Sequence, residues 1–186
     1  MTKVAVIGGG VAGLQAGVFT AKSGEETVVF DNGESLVKNT SNIQNLICHC
    51  SIGGQEILEK GRRKLENFGG ELSEQEVVEV ERKEDGFLIK SEEGERKADF
   101  IVVASAGDLS YVKGLEVEFE DGVEGPYMMD RHLVTDESNK AAEGVYAAGL
   151  ANSWEYQTST ALGDGAKAAV NLLSEIRGEP YTDHDT

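Results

Sequence analysis

The sequence predicts one α/β domain, a parallel sheet with a small three-stranded antiparallel meander. Three observations carry this. A short apolar strand near the start, Val4 to Ile7, is stopped by glycines and followed by a segment with helical spacing. Three strand-like segments separated by turn residues fill Val77 to Val103. A second apolar strand, Gly144 to Ala148, precedes a long helical segment, Ala161 to Arg177.

The elements follow in order. Val11 to Ser23 has helical spacing at Val11, Leu14, Ala16, Val18 and Ala21. Thr27 to Phe30 is a second apolar strand that ends at Asp31, and together these make a βαβ unit. Gly33 to Ser51 has no period and reads as loop. Gln55 to Phe68 is an amphipathic helix with Ile57, Leu58, Leu65 and Phe68 inward, ended by Gly69-Gly70. The meander is Val77 to Arg82, Phe87 to Ser91 and Arg96 to Val103, with turns at Lys83 to Gly86 and Glu92 to Gly94. Asp108 to Gly125 is less regular, and His132 to Thr135 is a candidate strand. The polar tail after Gly178 is expected to be mobile.

A chain of 186 residues sets a prior of one domain. The formal net charge of −17 argues against nucleic acid and against an anionic membrane surface as partners, since both would be repelled. The acids between Glu71 and Asp85 alternate with apolar residues, as on a solvated face. No apolar run is long enough to span a membrane, and glycines break the apolar N-terminal stretch that could pass for a signal peptide. The two cysteines make no disulfide framework. A cytoplasmic location is expected.

Gly8, Gly10 and Gly13 match the spacing G-x-G-x-x-G. In such a turn the first glycine allows the tight bend, the second lets a pyrophosphate approach the backbone, and the third lets helix and strand pack closely. The helix start at Val11 and Ala12 offers N–H groups and a positive dipole end to phosphates. Asp31 closes the second strand, where a carboxylate can accept hydrogen bonds from an adenosine ribose; it would disfavour a 2′-phosphorylated dinucleotide. The alternative is a degenerate Rossmann unit that binds nothing.

With these segments in this order, the chain resembles the FAD-binding domain of the thioredoxin reductase family, within the pyridine nucleotide–disulfide oxidoreductases. The matching landmarks are Gly8 to Gly13, Asn67-Phe68-Gly69, Val77 to Val103, Ala104-Ser105-Ala106-Gly107, Gly144 to Gly149, and Gln157 to Ala169. The resemblance implies that Gly8, Gly10, Val11, Ala12, Gly13 and Asp31 hold the ADP half of FAD. It places Asn45 near the flavin, the Val77 backbone at adenine, and Ala104 and Gly149 on the cofactor. Gln157 and Thr158 then open the helix whose N-terminus faces the flavin ring, where its dipole would stabilise negative charge.

Three departures stand out. The family's aspartate after Gly149, which binds the ribityl chain, is Leu150 here. The strand end reads Ala-Ser-Ala-Gly where the family has Ala-Thr-Gly. The family also inserts a nicotinamide domain, with a second glycine fingerprint and a Cys-x-x-Cys, between the two FAD segments. Here only Asp108 to His132 lies in that gap, about 25 residues and too short for a second βαβ unit. The expected organisation is therefore a domain over 1–178, formed by segments 1–107 and 131–178 joined by a short connection, with a tail over 179–186. The expected function is an FAD-dependent oxidoreductase or electron carrier. It would be reduced by a redox partner protein or a small-molecule donor, and the resemblance implies a homodimer. The alternative is a non-catalytic dinucleotide-binding sensor, or a subunit of a larger redox complex.

Cys48-His49-Cys50 is the redox-capable side-chain cluster of the chain. Two cysteines one residue apart can close a strained, easily reduced disulfide, and His49 could lower a thiol pKa. They are the candidate catalytic residues; the competing reading is two small apolar fillers. Two cysteines and a neighbouring histidine fall short of a zinc site, and no metal is expected. Trp154 and Tyr156 precede the last helix and could cover the flavin edge, although packing is favoured. Tyr127-Met-Met129 reads as core or interface. His132 and His184 belong to no visible constellation, nor is there a Ser/His/Asp arrangement.

Overall fold

The computed structural model describes residues 1–123, 125 and 129–182. The chain runs β1 (Lys3–Ile7), α1 (Val11–Lys22), β2 (Glu26–Phe30), α2 (Gly54–Asn67), β3 (Glu71–Ser73), β4 (Val77–Lys83), β5 (Gly86–Ser91), β6 (Gly94–Ala98), β7 (Phe100–Val103), β8 (Phe119–Asp121), β9 (Arg131–Leu133), β10 (Lys140–Ala142), β11 (Val145–Ala147) and α3 (Thr158–Arg177). The main sheet has the order β10-β11-β7-β1-β2-β3. All its pairings are parallel except β10 with β11. β4, β5 and β6 form the antiparallel meander as a separate sheet, and β8 pairs with β9.

The central strands are apolar throughout because both faces are covered. Val4 and Val6 face the helices and pack with Leu14, Leu65, Leu172 and Leu173. Ala5 and Ile7, pointing the other way, pack with Phe87, Ile89 and Leu109 on the meander side. The sheet is thus a layer between helices and meander. The connection after β7 closes that second core: Leu109, Val112 and Leu115 are buried in it.

Several expected boundaries move. The run Arg96 to Val103 is two strands, because Asp99 breaks it: its carboxylate accepts the Lys3 N–H at 2.7 Å. β6 stays in the meander while β7 enters the main sheet beside β1. Phe68, expected inward, is 38% exposed, since it sits at the C-cap beyond the last helical turn. The segment read as loop holds a 3₁₀ turn, Leu36–Asn39, and a bridge between Ile43 and Ile52. The tail is not wholly loose: Tyr181 is buried, and its N–H donates to Ser174 Oγ at 2.9 Å. Met129 is buried, as a core residue should be. Tyr127, Met128 and His184 lie outside the described residues. Among the described residues, no helix is long and apolar enough to cross a membrane.

A polar cluster ties the sheet edge to α3. Glu175 Oε2 accepts from the Lys140 ammonium at 2.7 Å and from the Tyr146 hydroxyl. Burial would raise the Glu175 carboxyl, but these two contacts outweigh it and hold it below its ordinary range. A carboxylate depressed in the folded state stabilises above its unfolded pKa, and that stability is lost as pH falls through the folded value. Glu175→Gln should therefore cost about 1 kcal/mol near neutral pH. The cost should shrink as pH falls below the ordinary carboxylate range and vanish once the folded Glu175 carboxyl is itself protonated. Urea denaturation across pH checks both limbs.

Candidate functional site

A cleft of about 640 Å³ opens at the carboxyl ends of β1, β2 and β7, where open α/β sheets place their ligands. Its volume suits a small molecule or cofactor. The glycine turn forms part of its floor. Gly8 has φ +115°, and a Cβ there would lie 2.6 Å from the Ala104 carbonyl. A Cβ at Gly13 would lie 1.8 Å from Gly8 O, so only glycine lets α1 seat on β1.

Two helix N-termini border the cleft. α1 starts after Gly10 and α3 after Gln157; neither N-cap makes a side-chain hydrogen bond, and neither first turn holds an acid. Their N–H groups and positive dipole ends can therefore be offered to an anionic ligand. A loop pins the second terminus. Asn45 Nδ2 donates to Gln157 Oε1 at 2.8 Å, and Ser159 Oγ donates to the Asn45 carbonyl at 2.9 Å. Ile43, Leu46 and Ile52 bury the roots of that loop.

Asp31 directly follows β2, with its side chain only 3% exposed. Its carboxylate accepts the Gly33 N–H at 2.9 Å and the Arg62 guanidinium at 2.7 Å. The negative charge expected to repel a 2′-phosphate is therefore already paired. Val77, buried at the start of β4, lines the cleft beside Gln75 and Glu76.

Leu150 both lines the cleft and packs against the meander-side core. Its carbonyl accepts from His132 Nδ1 at 2.8 Å, which fixes that imidazole's tautomer. The Gly149 N–H donates instead to Asp164 Oδ2, at 2.6 Å, and Asp164 also accepts from Asn139 and Asn152. Sequence reasoning missed Asp164; the signal was an acid between Gly163 and Gly165 on the packed side of α3. It also missed Tyr111, which lines the cleft from the short connection, 2.6 Å from Ser105 Oγ. Burial pushes the Tyr111 hydroxyl up, so it stays protonated.

Of the expected residues, Gly8, Gly10, Val11, Ala12, Asp31, Asn45, Val77, Ala104, Gly149, Gln157 and Thr158 all line this cleft. Gly13 lies just behind it as a packing residue. Cys48 and Cys50 do not line it; both are free and exposed. Trp154, for which packing was favoured, is 54% exposed, whereas Tyr156 lines the cleft. Among the described residues, no three His, Cys, Asp or Glu side chains gather as a metal-ligand set.

Residues 3–83 match the family described as glucose inhibited division protein A. Thioredoxin reductase of Bacillus subtilis (strain 168) is 26% identical over 156 residues, which is 77% of this chain and 49% of the relative. The chain thus spans about half the length of the curated relative it matches. Among solved structures, the atypical thioredoxin reductase TRi from Desulfovibrio vulgaris Hildenborough superposes with a TM-score of 0.82 at 20% identity, covering 96% of this chain and 99% of that one. A thioredoxin reductase from Gloeobacter violaceus superposes with a TM-score of 0.84 at 15% identity, covering 100% and 98%. The chain has the fold of these thioredoxin reductases.

Proposed function

We propose that this chain holds FAD in the cleft and acts as an electron-transfer module of thioredoxin reductase type, reduced by an external donor. The carrying observation is one continuous cleft bordered by two helix N-termini without side-chain caps. The residues present fit the cofactor. Backbone N–H groups at Val11 and Ala12 would receive the pyrophosphate, Asp31 the adenosine ribose, and the Val77 backbone the adenine. Bound FAD supplies two-electron redox chemistry at its ring. The α3 N-terminus, held by Asn45 and Ser159, places a fixed positive dipole where negative charge would develop. The short connection supports the external donor: it closes the meander-side core and adds Tyr111 to the cleft wall, in about 25 residues. A redox protein or a small-molecule reductant suits that role.

Leu150 favours a second reading, a dinucleotide sensor or subunit without redox turnover. It offers the cleft no side-chain acceptor where the family has an aspartate. Tight ADP binding without FAD binding would select that reading.

Absorption spectroscopy tests the first. Added FAD should show shifted visible bands and quenched fluorescence with the protein; the bands should bleach with dithionite but not with NADPH alone. Unperturbed FAD would overturn the proposal. A second prediction concerns Gly10, whose φ of −76° and ψ of −172° any residue adopts. A Cβ there meets only Ser35 Oγ, at 3.4 Å. Gly10→Val should keep the unfolding midpoint within about 3 °C. It should weaken FAD binding by roughly 100-fold, because the added side chain stands where the phosphate approaches the backbone.

A further inference from the structure

We infer that Arg62 is a positioning residue for the adenosine end of the cleft, holding Asp31 so that its carboxylate reads the ribose 2′-hydroxyl. This rests on the FAD reading and extends it to a residue outside the cleft lining. Arg62 lies on α2, far from the glycine turn in sequence, yet its guanidinium meets Asp31 Oδ2 at 2.7 Å. α2 packs closely on α1 here: residue 61 is glycine, and a Cβ there would sit 3.0 Å from Leu14 Cδ1 on α1. The helix contact thus delivers the cation to the end of β2.

The carboxylate is constrained from three sides. Arg62 holds Oδ2 and the Gly33 N–H holds Oδ1. Its stem lies over Gly9, where a Cβ would approach Asp31 Cγ to 2.3 Å. Each oxygen keeps a second lone pair, so the group can still accept from a ligand hydroxyl. Among the described residues Arg62 pairs with Asp31, and its buried Nε finds no partner. No wider network accounts for its place. Without Arg62, Asp31 would be a buried carboxylate with no counter-charge, its Oδ1 held by the Gly33 N–H and its Oδ2 no longer fixed.

The test compares ADP with 2′-deoxy-ADP by calorimetry, with FAD as a parallel ligand. The unmodified protein should prefer ADP about tenfold, the size of one hydrogen bond to a charged group. Arg62→Met, which keeps the stem and removes the charge, should reduce that preference to below about threefold; Arg62→Lys should restore part of it. A merely structural role would weaken both nucleotides equally and leave the ratio unchanged, which overturns the inference. So does an unmodified protein that does not distinguish them or binds neither. If Arg62→Met does not fold, a ratio in Arg62→Lys equal to that of the unmodified protein overturns it, and a reduced ratio supports it. Failure of the FAD reading shows separately, as absent FAD binding by the unmodified protein while ADP still binds with its preference.

Discussion

The first turn of α1 is the contact on which the rest of the structure depends. Gly13 seats the helix on Gly8, and Gly8 seats the turn on Ala104 at the end of β7. On the other side, a Cβ at Gly165 of α3 would meet the Ala12 carbonyl at 2.1 Å, and one at Gly149 would meet Ala12 Cβ at 2.9 Å. Strand ends from both halves of the chain and the closing helix therefore converge on one helical turn. Close packing of this kind tolerates little change in volume. It also leaves that turn's N–H groups at the mouth of the cleft, so the packing constraint and the anion site are the same feature.

Much of this could be read from the residues because the signals were local and strong. The glycine spacing, the apolar strand before it and the acid after β2 all sit within one βαβ unit, and the structure places Ile7, Gly8, Gly10 and Asp31 at the cleft with Gly13 just behind it. The meander followed from successive strand-like runs and their turn residues, except that the third run is divided between the meander and the main sheet. What escaped was non-local or weakly patterned. β3 is three residues, Glu-Leu-Ser, with no run to announce it; only pairing with β2 makes it a strand. Phe68 looked inward on a helical wheel, but the helix ends one residue before it. Arg62 and Asp164 are charged residues on helix faces, and only tertiary contacts reveal their carboxylate and backbone partners.

Leu150 lines the cleft and packs on the core, while Asp164 takes up the Gly149 N–H from α3 and His132 braces the Leu150 carbonyl. In the connection after β7, Leu109, Val112 and Leu115 close the core, and Tyr111 with Ser105 adds hydroxyls to the cleft wall. The exposed thiols of Cys48 and Cys50 sit on the loop whose Asn45 grips α3, so that loop joins the cleft to the surface.

The central claim is that this cleft holds a dinucleotide from the α1 N-terminus to the α3 N-terminus. A crystal structure of the chain soaked or grown with FAD tests it most directly. The account predicts phosphate oxygens within roughly 3 Å of the Val11 and Ala12 nitrogens, adenine against Val77, and the flavin ring at Gln157 and Thr158. A pyrophosphate placed away from the α1 N-terminus, or a flavin bound outside the cleft, would contradict it.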